Sequence, residues 1–274
     1  MDFTTQLAVS SNDEIGELSQ NINHLSEQLS KHISHLEKEI EREKALENTR
    51  KEFIANVSHE LKTPLSVVKS CISILQDGIS PQKKDYYLQA VDNETHKMEQ
   101  LIADMLELAK LSSGTYEMKM SHFEPVPIIE ALVEKLSLDI VQKNLQVEIS
   151  TKPLTVLGNV NYIEQVLLNF LTNAIRYTPT EERILIVLSE ESSRAKFSIE
   201  NKGAHIPKEQ LEKLWDQFYR LDGHRNRTSG GTGLGLTITQ NILKLHRAQY
   251  GVQNTEDGVV FYFYLNLAKE ASEI

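Results

Sequence analysis

Apolar residues recur along the first part of the chain at the spacing of a coiled coil. Steps of three and four residues alternate, with one repeated step of four between Leu29 and Ile33 that locally unwinds a supercoil. The members of this stripe are Ile15, Leu18, Ile22, Leu25, Leu29, Ile33, Leu36 and Ile40. Such a seam predicts pairing with a second helix, most simply in a parallel homodimer. Ser11 and Glu14 have capping-box spacing, which predicts a helix start near Asn12.

A second apolar set continues the helical pattern up to DGISPQ, residues 77–82, where Gly and Pro predict a turn. This set comprises Phe53, Val57, Leu61, Leu65, Val68, Ile72 and Leu75. Another amphipathic helix follows, to about Leu111. Two long helices with a short turn predict an antiparallel hairpin. One hairpin cannot bury both apolar stripes, so two copies should pack as a dimeric four-helix bundle.

The pattern changes after residue 114 to mixed strand and helix. Segments 127–143, 160–175 and 233–247 have helical periodicity. Four segments have the composition of strands: LQVEIS, ILIVLSE, AKFSIEN and VVFYFYL. The predicted fold class is therefore α + α/β, a helical-hairpin bundle followed by an α/β sandwich domain.

Composition narrows the possible functions. The 274 residues are 40% hydrophobic, which is enough for a buried core. A net charge of -10 argues against nucleic acid as a direct partner, because neutralising phosphates requires clustered Lys and Arg. The single cysteine, Cys71, excludes an internal disulfide framework. No window approaches the ~20 apolar residues of a membrane helix, so the polypeptide is expected to be cytoplasmic as given.

The segment FIANVSHELKTPL, residues 53–65, sets His59 beside Glu60 and one helical turn before Thr63. An imidazole can attack phosphorus through one nitrogen while a carboxylate accepts the N–H of the other and raises its nucleophilicity. Glu60 is placed for that role, and Thr63 shares the face of His59, where it could orient a water. Zinc is the first alternative, because His-Glu-x-x-His binds metal. Position 63 is Thr, however, and the second ligand is missing.

A second candidate site begins on the 160–175 helix. Asn169 and Asn173 are four residues apart on an otherwise apolar helix, and two amide oxygens on one face suit Mg²⁺. Arg176 follows as a phosphate-facing cation, and Tyr177 offers a ring for adenine. These residues predict a site for a magnesium nucleotide.

The run GGTGLGL, residues 230–236, leads directly into a helix. Backbone N–H groups in such a loop and the positive end of the helix form an anion site, which here suits a triphosphate. The loop residues assigned to it are Gly231, Gly233, Leu234 and Gly235.

These motifs together resemble a known family. NVSHELKTPL resembles the H box of two-component sensor histidine kinases of the HisKA class. The 160–175 segment resembles the N box of the Bergerat-type ATPases, which include histidine kinases, gyrase, Hsp90 and MutL. The run LWDQFYRLD, residues 214–222, resembles the F box. The resemblance implies that His59 is the phosphoacceptor, that Phe218 packs near the site and that Arg220 lies near the phosphates. It also implies that HRNRTS, residues 224–229, forms a mobile lid from which Arg225 and Arg227 contact phosphate.

The sequence departs from the family pattern in ENKGAHIP, residues 200–207, where Asp-x-Gly-x-Gly is usual. Asn201 occupies the position of the Asp, and His205 occupies the position of the second Gly. An Asn amide can accept from adenine N6–H and donate to N1, so an adenine contact is expected to survive, and Gly203 is expected to allow close backbone approach. The last glycine box is reduced to Gly258.

The resemblance covers residues 13–268 and implies three domains. These are a HAMP-derived signalling coiled coil in 1–48, a dimerisation and phosphotransfer hairpin in 49–114 and a catalytic ATP-binding domain in 115–274. The implied cofactors are ATP and Mg²⁺. The implied reaction is autophosphorylation of His59, then transfer to an aspartate of a response regulator, with phosphatase activity toward that regulator. Transmembrane helices are expected upstream of residue 1, which would place the native protein in the bacterial cell membrane.

A narrower resemblance and two alternatives complete the prediction. The HAMP-like DEIGEL, Asn201 and the ending QNTEDGVVFYFYL are similar to low-GC Gram-positive sensors, above all the VanS group of vancomycin-resistance sensors. One alternative is a signalling adaptor with a degenerate ATP site that acts only through dimerisation and docking. The other is a gyrase- or MutL-type ATPase clamp, which is disfavoured because such clamps need no H box and no transducer segment follows the ATP site.

Overall fold

The computed structural model describes residues 8, 14–78, 80–113, 116–221 and 231–268. The chain divides into two compact units, Met1–Lys62 and Thr63–Ile274. The predicted cap at Ser11 and the helix start near Asn12 lie outside the described residues. No described helix combines the length and the apolar character that a membrane crossing requires.

Two long helices form the first part of the fold, as the apolar stripes predict. Helix α1 spans Glu14–Gln76, with Pro64 inside it, and helix α2 spans Pro81–Ser112. Gly78, in the short connection, has a φ of 82°, a left-handed conformation that glycine adopts without steric cost. Leu101, Leu108 and Leu111 of α2 are buried, and α2 contacts helix α7 (Gly235–Leu245) of the second half of the chain.

The second half contains a five-stranded mixed sheet in the order β2-β4-β5-β7-β6, and a two-stranded sheet of β1 and β3. Strand β2 pairs with β4 in parallel, and the remaining neighbours are antiparallel. The strands are β1 Ser121–Phe123, β2 Gln146–Thr151, β3 Val156–Gly158, β4 Arg183–Glu191, β5 Arg194–Lys202, β6 Tyr250–Asn254 and β7 Gly258–Asn266. The four predicted strands are present. The short strands β1, β3 and β6 were missed because their few residues carry no clear period.

Helices cover one face of this sheet. They are α3 Pro125–Lys135, α4 Ser137–Gln142, α5 Val160–Tyr177, α6 Lys208–Leu211, which continues as a 3₁₀ turn over Glu212–Trp215, and α7 Gly235–Leu245. The prediction of one helix over 127–143 is wrong. Leu136 has a ψ of 9°, outside the α region, and divides the segment into α3 and α4. Ile129, in α3, and Ile140, in α4, are both buried.

The core lies between the sheet and helices α5 and α7, which pack against each other. Phe197 and Phe263 stack with ring centroids 4.5 Å apart, and Phe170 from α5 lies 6.1 Å from Phe263. The predicted α/β sandwich is confirmed. Its helical layer includes α5 and α7, and the candidate nucleotide residues lie on α5 and at the start of α7.

Candidate active site

The candidate phosphoacceptor lies on the exposed surface of α1, in the first unit. His59 Nδ1 is 3.6 Å from Glu60 Oε1, and the His59 side chain is 75% exposed. This distance suits an ion pair and exceeds that of a hydrogen bond. Glu60 therefore lies on the Nδ1 side of the ring. Thr63 is half-buried at the start of the second unit.

Helix α5 presents the predicted nucleotide residues on its less buried face. Its N-cap is Asn159, whose Oδ1 accepts a hydrogen bond from the Tyr162 N–H at 3.2 Å. At its other end, Thr178 Oγ1 donates to the Ala174 carbonyl at 2.6 Å. The opposite face of the helix fills the core. Four predicted residues are half-buried, namely Asn169, Asn173, Arg176 and Tyr177.

Asn169 joins α5 to the start of α7. Its Nδ2 donates to the Gly235 carbonyl and to Thr239 Oγ1, both at 3.2 Å. A Cβ on Gly235 would lie 3.3 Å from Asn169 Oδ1, so the glycine permits this close approach. Because the amide nitrogen is engaged, the side chain offers its oxygen, the atom that a hard cation such as Mg²⁺ prefers. No described group of three or more His, Cys, Asp or Glu side chains could hold a metal ion.

The glycine-rich loop contacts both Arg176 and the F-box segment. A Cβ on Gly231 would collide with the Arg176 guanidinium, so the arginine lies directly against the loop. Gly233 has a φ of 72°, and its carbonyl accepts from the Phe218 N–H at 3.0 Å. A Cβ on Gly233 would lie 2.8 Å from Phe218 Cα, and Phe218 itself has a φ of 61°. Only glycine fits this backbone contact without strain.

The N-terminus of α7 completes the phosphate end of the candidate site. The first N–H groups of a helix lack intrahelical partners and carry a partial positive charge. The first turn of α7 contains no acidic residue, and the buried Leu234 donates its N–H to Thr232 Oγ1 at 3.3 Å. Arg176 thus lies against the glycine-rich loop, and this loop leads directly into the N-terminus of α7, an arrangement that suits a phosphate group.

The variant segment around Asn201 keeps a close-packed backbone. Asn201 is 4% exposed on β5, and a Cβ on Gly258 would collide with its carbonyl oxygen. Gly203 has a φ of 73°, donates its N–H to the Asp257 carbonyl at 2.8 Å, and leaves room for Pro179, whose Cγ would lie 3.1 Å from a Cβ. The one glycine left in the reduced last box thus stands where a side chain does not fit.

Only some of the remaining predicted residues lie in the part of the chain that the structure describes. Phe218 and Arg220 are half-buried. Arg225 and Arg227, with the proposed lid, lie outside the described residues, as does Gly230. The structure therefore brings Asn169 against Gly235, Arg176 against Gly231 and Phe218 against Gly233.

The structure also shows contacts that sequence reasoning missed. Thr232 Oγ1 donates to Asp104 Oδ2 at 2.7 Å, which ties the glycine-rich loop to α2. Lys110 Nζ donates to Tyr162 Oη at 2.8 Å, and burial raises the pKa of Tyr162. These partners are 128 and 52 residues apart, so no local pattern signals them.

His246 is a third such contact. Its Nε2 accepts from the Asn159 N–H at 3.0 Å, and its Nδ1 lies 2.8 Å from the Ile242 carbonyl, so the fold requires the neutral Nδ1–H tautomer. Burial lowers the pKa of this imidazole, although the Ile242 carbonyl acts in the opposite direction. The histidine links the end of α7 to the start of α5.

Comparison with known protein families assigns these regions. Residues 49–114 match the His Kinase A (phospho-acceptor) domain, and residues 158–269 match the histidine kinase-, DNA gyrase B- and HSP90-like ATPase. Residues 2–31 match the HAMP domain. The phosphoacceptor match contains His59, and the ATPase match contains the α5 and α7 residues described above.

Curated relatives carry the same assignment. The chain is 30% identical over 251 residues to the sensor histidine kinase WalK of Bacillus subtilis, covering 86% of this chain and 39% of WalK. It is 34% identical over 262 residues to the sensor protein VanSB of Enterococcus faecalis, covering 92% of this chain and 57% of VanSB. The chain thus spans only about half the length of these relatives.

A solved structure shares the fold. The histidine kinase ThkA, determined in complex with the response regulator protein TrrA, aligns with a TM-score of 0.66 at 24% identity, over 81% of this chain and 63% of that one. An exposed histidine on a long helix, a phosphate-binding arrangement in an α/β domain and these matches lead to one conclusion. The chain belongs to the sensor histidine kinases of bacterial two-component systems.

Proposed function

We propose that this chain is the cytoplasmic, catalytic portion of a sensor kinase that uses ATP to phosphorylate His59. The observation that carries the proposal is the contact of the Arg176 guanidinium with Gly231, in the loop that leads directly into the N-terminus of α7. This arrangement offers a cation and helix N–H groups that lack intrahelical partners to one anionic ligand. The exposed His59 beside Glu60 supplies an acceptor for a phosphoryl group.

In this proposal ATP lies along the face formed by α5, the glycine-rich loop and β5. Arg176 and the α7 N-terminus hold phosphate oxygens, with Arg220 close by, and Arg225 and Arg227 approach from the lid. The buried Asn201 takes the place of the usual Asp against adenine, and Tyr177 packs at the ring. Gly203 keeps the backbone close there.

Asn169 and Asn173 supply the amide oxygens that would hold Mg²⁺. The hydrogen bonds from Asn169 Nδ2 to Gly235 and Thr239 fix which atom of that amide faces the cation. When bound, Mg²⁺ would neutralise charge on the triphosphate and orient it.

The phosphoryl transfer itself requires little from the protein beyond placement and proton control. His59 Nε2 attacks the γ-phosphorus as the bond to the β–γ bridging oxygen breaks, and ADP leaves. Glu60, 3.6 Å from Nδ1, stabilises the N–H on that nitrogen and the positive charge that develops on the ring. Thr63 is proposed to orient the water that attacks the phosphoaspartate of the regulator in the phosphatase reaction, which breaks the P–O bond to the aspartate and releases inorganic phosphate.

The proposed acceptor of the phosphoryl group is an aspartate on a response regulator, the kind of protein bound to ThkA. The resemblance to the family leads us to expect that the regulator docks on α1 below Pro64, at positions such as Val67, Ser70, Cys71 and Ile74, together with the start of α2. The Cys71 part of this expectation is wrong, because that side chain is only 7% exposed and packs inside the fold. Val67 and Ser70 remain exposed for docking.

We further propose that the protein is a homodimer attached to the bacterial membrane through an upstream segment. The α1 stripe is exposed along its whole length, from 37% at Ile33 to 65% at Ile15. A second copy would bury it. The HAMP match at residues 2–31 supports a position close to a membrane segment. A role in vancomycin resistance is the narrower proposal, supported by the similarity to VanSB.

Labelling with γ-phosphate-labelled Mg-ATP tests the central proposal. Wild-type protein should acquire acid-labile, base-stable label, and His59→Gln should acquire none while binding ATP equally well. His35→Gln is a matched control, because His35 is also exposed on α1 and lies 3.7 Å from Glu39; it should label normally. Labelling of His59→Gln at the wild-type rate would refute the assignment. ATP binding without any labelling of wild type would favour the adaptor.

A further inference from the structure

The C-terminal end of α5 is where the segments of the candidate nucleotide site meet. Arg176 lies in the last turn of α5 and contacts Gly231 of the glycine-rich loop. Two residues beyond the helix, Pro179 packs against Gly203 of the adenine segment. The direction in which the chain leaves α5 therefore sets both the phosphate side and the adenine side of the site.

One lysine from another part of the domain caps the C-terminus of α5. Lys143, in the connection between α4 and β2, donates from Nζ to the carbonyls of Ile175 at 2.9 Å, Arg176 at 2.7 Å and Thr178 at 3.2 Å. Its own carbonyl accepts from the Glu181 N–H at 3.1 Å. Lys143 thus holds the α5–β4 connection by its side chain and by its main chain.

The chemistry of a helix end explains why an ammonium group suits this position. The last carbonyls of a helix have no intrahelical partner and carry a partial negative charge. An ammonium group has three donors, which matches the three carbonyls. Burial and the neighbouring Arg176 guanidinium lower the pKa of Lys143, whereas the three acceptors favour its charged form. Two cations thus lie at the helix end, and Arg176 contacts the glycine-rich loop at Gly231.

We propose that Lys143 is a positioning residue of the nucleotide site, which holds the end of α5 so that Arg176 is presented to the phosphates. This inference rests on the ATP site proposed above. Lys143 acts through Arg176, and it does so by satisfying carbonyls that would otherwise loosen the last turn of α5. No motif of the sequence marks it, because its partners are 32 to 35 residues away.

Substitution of Lys143 by methionine tests the inference, because methionine keeps much of the apolar stem and removes all three donors. Lys143→Met should weaken Mg-ATP binding about tenfold, as measured by calorimetry well below the unfolding temperature. Lys143→Arg should recover most of the affinity, since a guanidinium can donate to the same carbonyls. Lys196→Met is the matched control: Lys196 is also half-buried and is bonded to Glu191 at 2.8 Å, and its loss should leave ATP affinity unchanged.

A double-mutant cycle separates positioning from a merely structural role. If Lys143 acts through Arg176, Lys143→Met should have little further effect in an Arg176→Ala background. Independent, multiplying effects would overturn the inference, as would wild-type affinity in folded Lys143→Met. If Lys143→Met does not fold, Lys143→Gln, which keeps a donor, replaces it in the same cycle.

The proposed function fails in a different way. If wild-type protein binds no Mg-ATP, the proposed ATP site is refuted, and the positioning role of Lys143 is refuted with it. Wild-type protein that binds Mg-ATP and does not label His59 would overturn the kinase proposal alone, and the cycle with Arg176 would still decide the role of Lys143.

Discussion

The first unit and the ATPase domain differ in the exposure of their apolar side chains. On α1, residues of the apolar stripe are exposed, as Leu36 is at 55%. In the ATPase domain the matching residue types are buried, as Leu188 is at 1%. Burial of apolar area is the main stabilising contribution to a fold. The ATPase domain therefore contains its own core, whereas the α1 stripe remains exposed in the single chain and is the surface that the proposed dimer would bury.

The largest expected effect tests this contrast with one chemical change at two places. Leu188→Ala should lower the free energy of unfolding of the ATPase domain by about 2–5 kcal/mol, because it leaves a cavity. Leu36→Ala should change it by less than about 0.5 kcal/mol. The single tryptophan, Trp215, is buried in this domain, so its fluorescence during urea unfolding reports the difference. Equal losses would contradict the contrast.

The next effect concerns two glycines with left-handed backbones. Alanine at either Gly78 or Gly233 should cost about 1–2 kcal/mol from the positive φ. Gly78 has no neighbour within 4 Å of a Cβ, whereas Gly233 lies against the Phe218 backbone. Gly233→Ala should therefore lose about 1–3 kcal/mol more by urea unfolding, since overpacking is added. A similar loss at both positions would show that the Phe218 contact relaxes.

The hydrogen bond between α2 and the glycine-rich loop should contribute less. Asp104→Ala removes the acceptor of Thr232 Oγ1 and should cost about 1 kcal/mol, with faster hydrogen exchange in the first turn of α7. Asp92→Ala, an exposed change on the same helix, should leave that exchange unchanged. Unaltered exchange in Asp104→Ala would mean that this bond does not hold the loop.

Acidification should weaken the ATPase domain through His246. Its pKa in the folded protein is lowered from 6.5, so the unfolded chain takes up the proton more readily. The contribution of His246 to the free energy of unfolding is fully present above the pKa of this residue in the unfolded chain. It is lost as pH falls through the lowered pKa of His246 in the folded protein. His246→Gln, which can still accept from the Asn159 N–H, should lose less stability than wild type between about pH 7.5 and about pH 5.5. The exposed His205→Gln should behave like wild type.

The smallest effect on the ATPase domain is expected from the α1 stripe itself. Leu18→Gln combined with Leu25→Gln should change the unfolding of that domain by less than about 0.5 kcal/mol, yet weaken self-association in analytical ultracentrifugation. Lys38→Gln, off the stripe, should affect neither property. Unchanged self-association in the double variant would place the proposed dimer contact elsewhere on the chain.

Local patterns were sufficient to predict the elements with strong periodicity. The spacing of apolar residues predicted α1, α2, α5 and α7, and alternation predicted β4 and β5. The spacing of apolar residues gave a wrong prediction at Leu136, where the helical pattern continues although the backbone changes direction. The pattern of apolar residues also failed to predict the short strands β1, β3 and β6, whose pairing depends on partners distant in sequence.

The sequence by itself determined which chemical groups the protein carries: a histidine beside a carboxylate, two asparagines on one helix face, an arginine at its end and a glycine-rich loop before a helix. Only the tertiary structure decided which of them meet. Arg176 against Gly231, Phe218 against Gly233 and Lys143 on the end of α5 are contacts between distant segments. Such contacts depend on the packing of whole elements, and a local pattern specifies an element without specifying its neighbours.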